Sequence, residues 1–336
     1  MANKLLNDAR QNKKDEFYTQ LSDIENELRH YKEHFRGKTV LCNCDDPRVS
    51  NFFHYFAYQF EALGLKRLIT TCYKNQTPDL FSQHDCERAI SLVYDGDKNG
   101  NRVPDPEEIG IHELQGDGDF RSPECIELLM QADIVVTNPP FSLFREYVAQ
   151  LMRFGKKFII VGPQNATHYK EIFSFIMDNR MWLGYGFSAG NAYFRIPKDN
   201  VREFAAGVYN SNSGLVKFRN CTWFTNLDHN KRHEELILYK QYSPEEFPTY
   251  ENFDAIDVGK VTDIPCDWFG MMGVPDTFLD KYNPDQFEII GLGCGDLAKQ
   301  IGVRKNHRGR TDVAFKVNGE FKCPYSRIII RRRKPA

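Results

Sequence analysis

The residues of this sequence that are best suited to chemistry are four in a row, Asn138, Pro139, Pro140 and Phe141. The two prolines fix φ and remove two backbone N–H donors, so the carbonyl groups before and within the pair stay available to a ligand. The Asn138 side-chain oxygen and the Pro139 carbonyl oxygen can together accept both hydrogens of one planar NH2 group. The Phe141 ring offers a face on which a planar base can stack. The tetrapeptide is therefore suited to binding an exocyclic amino group, although Asn-Pro is also an ordinary signal for a rigid turn.

The elements around this tetrapeptide alternate between apolar strands and amphipathic helices. The predicted elements of the first half are helices over 22–34, 51–63, 126–130 and 142–154, and strands over 38–44, 65–73, 133–137 and 157–162. This alternation predicts an α/β fold with a parallel sheet that is covered on both faces. In such sheets ligands bind at the carboxyl ends of the strands, which is where Asn138 would lie.

The second half of the chain has shorter strands, more loops and more prolines. Residues 223–227 and 235–239 are predicted to add strands to the main sheet, and Asn318-Gly319 predicts a hairpin with a type I′ turn. A proline-containing polar segment near residue 240 predicts a boundary. We therefore expect a catalytic domain over residues 1–240 and a smaller region over residues 241–336.

Composition excludes several classes of protein. With 41% hydrophobic and 27% charged residues, the chain has the composition of a soluble globular protein. No apolar run approaches the roughly 20 residues that cross a bilayer, and the amino terminus lacks the apolar stretch of a signal peptide. We expect a cytoplasmic protein with no membrane partner. The nine cysteines include no C-x-x-C pair, so no metal site is expected.

Charge is distributed unevenly along the chain. Residues 301–336 hold 11 Lys/Arg and 2 Asp/Glu, a net charge of +9, whereas residues 77–135 hold 14 Asp/Glu and 4 Lys/Arg, a net charge of −10. Clustered cations are typical of a surface that binds a polyanion. The run 331–334 alone fits a solvated tail equally well. The cations that favour nucleic acid are Arg304, Lys305, Arg308 and Arg310.

Two other segments imitate known sites. Gly291-Leu-Gly293-Cys-Gly295 resembles a nucleotide-binding loop, but the residues that follow it are too few for the βαβ units that would complete a pocket. Asp95-Gly-Asp97-Lys-Asn99 opens like a calcium loop, but the twelfth position is Pro106 where a bidentate glutamate is required. We predict a polar hairpin there instead.

With these motifs in place, the chain resembles the S-adenosylmethionine-dependent DNA adenine-N6 methyltransferases, and most of all the EcoRI-type modification methylases. The matching segments are 15–20, 23–28, 42–53, 116–122, 133–147, 182–184, 223–228 and 272–275. Residues 77–112 and 285–320 match poorly. The resemblance implies a Rossmann-like, doubly wound, mostly parallel methyltransferase sheet with a smaller C-terminal target-recognition region.

The resemblance also implies a site for S-adenosyl-L-methionine. The residues expected there are Tyr18, Thr19, Asp46, Pro47, Asp119 and Phe120. Tyr18 and Thr19 would help to bind the methionine part, and Asp119 would accept from the adenine amino group of the cofactor while the Phe120 ring packs on it. The first cofactor loop departs from the family pattern, because residues 48–51 replace a glycine-rich turn. Residues 71–73 offer no carboxylate for the ribose.

For the reaction, the resemblance implies methylation of a flipped adenine in duplex DNA. Asn138 and Pro139 would accept both N6 hydrogens, and Phe141 would stack on the base. A GAATTC-like site, a cognate restriction endonuclease that acts on that site without a stable complex, and a bacterial or phage-infected cell as the compartment are also implied.

Two alternatives remain open from the residues. One is a methyltransferase that acts on another planar NH2 group, such as a protein glutamine or an RNA adenine, because Asn-Pro-Pro-aromatic occurs in those classes too. The other is a degenerate methylase fold that serves as a DNA-binding module, which the glycine-poor first loop suggests. The intact Asp119-Phe120 and Asn138–Phe141 segments favour the enzyme.

Overall fold

The computed structural model describes residues 18–44, 50–73, 89–101, 104, 108–187, 190–195, 208–210 and 213–334. The chain divides into two compact units. The first unit runs up to Ile172 and resumes over Leu183–Asp228, and the second comprises Phe173–Trp182 and the chain from His229 onward. Within the described residues, none of the helices has the length and apolar composition that a membrane span needs.

The regular elements are numbered in chain order. The α-helices are α1 Leu21–Leu28, α2 Lys32–Phe35, α3 Asn51–Tyr58, α4 Phe60–Leu63, α5 Pro123–Gln131, α6 Phe144–Arg153, α7 Lys170–Met177 and α8 Gly295–Gln300. The strands are β1 Tyr18–Thr19, β2 Thr39–Asn43, β3 Arg67–Thr71, β4 Ile90–Tyr94, β5 Ile109–Glu113, β6 Ile134–Thr137, β7 Lys157–Pro163, β8 Trp182–Leu183, β9 Ala192–Arg195, β10 Tyr209–Asn210, β11 Leu215–Phe218, β12 Cys221–Thr225, β13 Ile256–Asp257, β14 Met271–Pro275, β15 Phe287–Leu292, β16 Phe315–Val317, β17 Glu320–Lys322 and β18 Arg327–Arg332. Short 3-10 helices lie at Phe141–Leu143, Gln164–His168, Asn230–His233, Val261–Asp263 and Asp276–Lys281.

The main sheet has eight strands in the order β5-β4-β3-β2-β6-β7-β12-β8. Its central strands β3, β2, β6 and β7 are parallel to one another, whereas β4, β5 and β12 are antiparallel to their neighbours. The sheet is therefore mixed, and the expectation of a mostly parallel sheet needs this correction. The reason at one side of the sheet is that β4 and β5 form a hairpin, and the two strands of a hairpin are antiparallel.

The strand order reverses between β2 and β6, because β3 lies on the other side of β2. Val40 is in register with Ile134, and Leu41 with Val135, so the two strands end side by side. Every residue of β2 and of β6 is buried, as expected for strands that are covered on both faces. The carboxyl ends of these two strands are therefore the place where a ligand site would form.

Most of the predicted elements are present. The strands β2, β3, β6 and β7, the helices α5 and α6, and the strand β12 confirm the predictions made from their apolar patterns. The polar segment that starts at Asp95 lies between β4 and β5, which pair as an antiparallel hairpin, as predicted. The helix expected over 22–34 is divided into α1 and α2, because Arg29–Tyr31 form turns instead of helix.

The strand predicted over residues 235–239 is wrong. Ile237 is 83% exposed and Tyr239 is 68% exposed, so this apolar run does not pack into a core. The backbone of Leu236 instead bonds to the side chain of Gln286, which donates to the Leu236 carbonyl at 2.7 Å and accepts from its N–H at 2.9 Å. A side-chain amide therefore takes the place of a neighbouring strand.

A second, four-stranded antiparallel sheet in the first unit has the order β1-β9-β11-β10. Tyr18 pairs with Arg195 and Thr19 with Phe194. The Asn51 side chain at the start of α3 donates to the Thr19 carbonyl at 2.7 Å. Thr19 therefore lies beside the start of α3, the first helix after β2 along the chain.

The second unit is built on the sheet β13-β14-β18-β15. Asp257, Arg327 and Tyr250 form a buried network in it, with the Arg327 Nε 2.8 Å from Asp257 Oδ1 and the Tyr250 hydroxyl 2.6 Å from the same oxygen. Burial and the neighbouring Asp257 carboxylate keep the pKa of Tyr250 well above its ordinary value. The hairpin prediction is confirmed, since Asn318 and Gly319 have φ of 52° and 83° between β16 and β17.

The run 331–334 is not simply a solvated tail. Arg331 and Arg332 are the last residues of β18, which is paired with both β14 and β15. Arg331 forms an ion pair with Glu288 at 2.7 Å, and Arg332 donates to the Cys266 carbonyl. Deletion of residues 331–336 would therefore remove part of this strand as well as its charge.

Gly162 in β7 provides a test of the packing that positions α6. A Cβ at Gly162 would overlap the fully buried ring of Phe144, the first residue of α6. We expect Gly162→Ala to lower the free energy of unfolding by about 1–3 kcal/mol, because the well-packed ring must shift. Urea titration measures it.

The control is Gly116→Ala, whose Cβ would have, among the described residues, only Glu124 Oε2 at 4.0 Å as a neighbour. This variant should unfold at the same urea concentration as the parent. Equal stability of the two variants would contradict the packing role of Gly162.

Candidate active site

Asn138 lies immediately after β6 and is 7% exposed. The Pro140 carbonyl accepts from the Leu143 N–H at 3.0 Å, which closes the 3-10 turn Phe141–Leu143 that leads into α6. Pro139 is buried and Phe141 is half-buried. The strand, the proline pair and the turn therefore present Asn138 and the Phe141 ring at the carboxyl edge of the sheet, as predicted.

Asn43, the last residue of β2, links the carboxyl end of β2 to that of the neighbouring strand β6. Its backbone carbonyl accepts from the Thr137 hydroxyl at the end of β6, and its side-chain oxygen accepts from the Tyr147 hydroxyl of α6. All three residues are buried. Because both ends of these bonds lie in the interior, the strand ends that flank Asn138 are fixed to each other and to α6.

Tyr147 packs from α6 against the Phe120 ring, with the ring centroids 5.0 Å apart in an edge-to-face arrangement. Its burial raises the pKa of the phenol well above the ordinary value, so the hydroxyl remains a donor to Asn43. Gln150, one turn farther along α6, donates to the Phe120 carbonyl at 2.8 Å. The helix that follows the Asn138–Phe141 segment therefore contacts the predicted cofactor residue Phe120.

Asp119 is bound by Arg121 through a two-point ion pair, with Arg121 Nε 2.9 Å from Oδ1 and NH2 2.7 Å from Oδ2. The same guanidinium reaches Glu146 of α6 at 2.8 Å. Gly118, which precedes Asp119, has φ of +78°, and a Cβ there would overlap the Cys72 carbonyl just after β3. Only glycine allows the loop to lie this close to the strand end.

Among the predicted cofactor residues, Thr19 has a buried hydroxyl that is suited to binding a polar ligand. It is 1% exposed, and its hydroxyl has no hydrogen-bond partner among the residues that the structure describes. A buried hydroxyl without a partner costs about 1–3 kcal/mol, which a bound polar ligand would recover. Of the other predictions, Asp46 and Pro47 lie outside the described residues, and only the backbone of Tyr18 is described.

These residues fit a nucleoside-containing ligand. The Asp119 carboxylate can accept from an amino group, the buried Phe120 ring can contact a base, and the Thr19 hydroxyl can bond to a polar group. Residues 71–73 include no acidic side chain, so no carboxylate at the end of β3 is assigned to the ribose hydroxyls. Within the first unit, α6 contacts the segment 119–121 and begins at Phe144, shortly after the segment 138–141.

The predicted DNA-contacting cations lie in an ordered loop of the second unit. Buried Asn252 fixes both ends of the loop, because its side chain donates to the Arg304 carbonyl at 2.8 Å and to the Asp312 carbonyl at 2.9 Å. Asn306 in the loop accepts from the N–H groups of Arg308 and Arg310. Neutral asparagines therefore shape the loop. The exposed cations on it are Arg304, Lys305, Arg308 and Arg310.

The hairpin β16–β17 adds to this surface. The His307 ring stacks on the Phe321 ring, with centroids 4.3 Å apart and planes at 17°, and the Lys316 ammonium lies 4.6 Å from the same ring. A hollow beside the loop is lined by the side chains of Lys299, Lys305 and Arg310 and by one carboxylate, Asp312. Loop and hairpin therefore form one cationic surface, which we call the basic face.

Sequence reasoning missed four residues that organise the first site. Arg121, Tyr147 and Gln150 contact the predicted residues Asp119 or Phe120, and Asn43 bonds to Tyr147, yet none of the four stands out by type. The spacing of 147 and 150, three apart on one helix, is the only local signal, and amphipathic packing explains it equally well. Their partners could be known only from the fold.

Three comparisons with known proteins bear on this site. A family model described as "Adenine-specific methyltransferase EcoRI" matches residues 5–333. The chain is 45% identical to the type II methyltransferase M.EcoRI of Escherichia coli, covering 99% of this chain and 97% of the relative. It is 36% identical to M.MpnI of Mycoplasma pneumoniae over 98% of both chains, and 34% identical to M.MgeORF184P of Mycoplasma genitalium, again over 98% of both. No solved structure matches.

The Asn43 network can be tested by Tyr147→Phe. The substitution keeps the ring but removes the donor to the buried Asn43 oxygen, so the free energy of unfolding should fall by about 1–3 kcal/mol in urea titration. Tyr58→Phe is the matched control, because Tyr58 is 63% exposed. A Tyr147→Phe protein as stable as the parent would argue against the network.

Proposed function

The chain belongs to the EcoRI family of adenine-specific methyltransferases, and from this premise we propose that Asn138 and Pro139 bind the N6 amino group of a flipped adenine. The enzyme is a site-specific DNA adenine methyltransferase of the type II restriction-modification class. The observation that carries the residue assignment is the position of buried Asn138, directly after β6 at the edge where β2 also ends.

Adenine N6 is a weak nucleophile, because its lone pair is delocalised into the ring. Two acceptors, the Asn138 Oδ1 and the Pro139 carbonyl, favour the pyramidal nitrogen in which the lone pair is localised. They also stabilise the positive charge that develops on N6, and they are already in place when the charge forms. No ionised base is needed while the bond between N6 and the methyl group forms, which agrees with an asparagine at position 138. The proton that the cationic N6 must then lose would pass to water.

A base inside a duplex cannot reach such a pocket, so the adenine must leave the stack. We assign the half-buried Phe141 ring as the surface on which the flipped base stacks. We propose that Pro140 keeps this segment rigid, because its carbonyl accepts the hydrogen bond that closes the turn at Phe141. The catalytic set is therefore Asn138, Pro139, Pro140 and Phe141.

Methyltransferases of this kind generally use S-adenosyl-L-methionine, and we propose it as the cofactor. When bound, it supplies a methyl group that its sulfonium makes electrophilic. Asp119 would bind the adenine amino group of the cofactor, Phe120 would contact its ring, and Thr19 would bond to the methionine part. Tyr18, Asp46 and Pro47 complete the proposed site on the strength of the family resemblance.

We further propose that the main sheet is the Rossmann-like, doubly wound sheet of methyltransferases. The reversal of strand order between β2 and β6 supports this, because ligands in such sheets bind at the reversal. In this proposal residues 1–240 form the catalytic domain. Residues 241–336 form the target-recognition region, whose DNA contact is the basic face.

The substrate proposed is duplex DNA with a GAATTC-like site, in a bacterial cytoplasm. A cognate restriction endonuclease would act on the same site without a stable complex. Transfer of a labelled methyl group to duplex DNA, with RNA and protein as competing substrates, tests the substrate class. Long-read sequencing of DNA from cells that express the enzyme identifies the methylated adenine and would show directly whether the site differs from GAATTC.

Asn138→Ala tests the acceptor role. Loss of one prearranged polar contact to the developing charge should lower the methylation rate at least about 100-fold, measured under single-turnover conditions. Cofactor affinity by calorimetry should be unchanged. Phe141→Ala should lower the methylation rate less, since losing only the stacking of the base should raise the activation free energy by roughly 1–3 kcal/mol. The control is Asn220→Ala, an exposed asparagine between β11 and β12. Near-normal turnover by Asn138→Ala would refute the mechanism.

The basic face can be tested with the double variant Arg308→Ala/Arg310→Ala. If both guanidinium groups contact phosphates, affinity should fall equally for specific and unrelated duplexes, and the slope of log K against log salt should decrease by about 2. Lys260→Ala is the control, an exposed lysine outside the loop and the hairpin. An unchanged slope would contradict phosphate contact, and a loss confined to the specific duplex would point to base reading instead.

A further inference from the structure

We infer that Arg121 is a positioning residue that couples the cofactor-binding carboxylate of Asp119 to the helix behind the Asn138–Phe141 motif. The inference rests on the proposed cofactor role of Asp119. It goes beyond that role, because Arg121 needs no contact with cofactor or base. Its effect would pass through two ion pairs, one to Asp119 and one to Glu146.

The first arm of Arg121 fixes the orientation of the Asp119 carboxylate. Three donors of Arg121 reach it: the backbone N–H at 2.8 Å and Nε at 2.9 Å from Oδ1, and NH2 at 2.7 Å from Oδ2. A planar guanidinium that bonds to both oxygens sets the plane of the carboxylate, which a single ammonium cannot do. The hydrogen bond to Asp119 also raises the pKa of Arg121, so the pair stays charged.

The second ion pair of Arg121 joins it to α6. Arg121 NH1 is 2.8 Å from Glu146 Oε2, and Glu146 is the third residue of the helix. Two more side chains of α6 contact the residue next to Arg121: Tyr147 packs on the Phe120 ring, and Gln150 bonds to its carbonyl. The segment 119–121 and the helix that follows Phe141 are therefore joined by three adjacent side chains, so a shift in one should shift the other.

The solvent exposure of the two ion pairs sets how much the loss of each can change cofactor affinity. The side chains of Arg121 and Glu146 are 50% and 49% exposed, and exposed ion pairs contribute little, so loss of that arm should change affinity only about two- to fivefold. The Asp119 side chain is 21% exposed and its pairing is a two-point, charge-assisted bond. Its loss should weaken cofactor binding about tenfold or more.

The test compares Arg121→Met, Arg121→Lys, Glu146→Gln and the double variant Arg121→Met/Glu146→Gln in the full-length enzyme. Cofactor affinity is measured by calorimetry with S-adenosyl-L-methionine, and the single-turnover methylation rate is measured at saturating cofactor. Melting temperatures check folding. Glu127→Gln is the matched control, an exposed glutamate on α5.

We expect Arg121→Met to weaken cofactor binding about tenfold or more and Arg121→Lys to restore only part of it. Glu146→Gln should weaken binding two- to fivefold in the parent and have no further effect in Arg121→Met, because its path is already broken. Additive effects of the two substitutions, or a lower melting temperature with unchanged affinity, would overturn the inference.

Asp119→Ala separates this inference from the proposed function. If Asp119→Ala leaves cofactor affinity unchanged, the proposed role of Asp119 is wrong. If Asp119→Ala weakens binding and Arg121→Met does not, only the positioning role of Arg121 is wrong.

Discussion

The end of the main sheet where Asn138 lies depends on one buried asparagine. Asn43 ends β2, and it accepts hydrogen bonds from Thr137 at the end of β6 and from Tyr147 on α6. Parallel strands in a sheet leave their last carbonyl groups without ladder partners, and buried polar groups of this kind must be satisfied. Here the partners are supplied by the strand and the helix on either side of Asn138. The bonds that satisfy the strand end therefore also fix the position of the motif.

The same arrangement explains why the proposed acceptors need no charge. A neutral amide and a carbonyl can stabilise a developing cation only if they are already oriented, because reorientation during the reaction would cost free energy. Asn138 is buried, its chain is restricted by Pro139, and α6 packs behind the turn through the Phe144 ring against Gly162. In this proposal, the fixed orientation of the two neutral acceptors makes an ionised base unnecessary for activating N6.

Local sequence patterns were sufficient for the elements that surround the motif and insufficient for the contacts between them. Apolar runs predicted β2 and β6, and the proline pair predicted the turn after Asn138. The Tyr147–Asn43 bond joins residues 104 positions apart, and no periodicity specifies such a pair. The false strand over 235–239 has the same origin, since an apolar run predicts burial but not whether a core exists to bury it. There, the Gln286 side chain satisfies a backbone that a sheet would otherwise pair.

The second unit shows that net charge alone does not identify a DNA-binding surface. Arg327 and Arg331 belong to the same cationic region as the loop, but each is paired with a carboxylate inside or beside the sheet. Because those guanidinium groups are already neutralised, they add little to the field that attracts DNA. The loop is different, since neutral Asn252 and Asn306 shape its backbone and leave the charge of Arg308 uncompensated by the bonds that order it. Ordering the proposed DNA-contacting loop with amides instead of ion pairs therefore leaves its cations available to a polyanion.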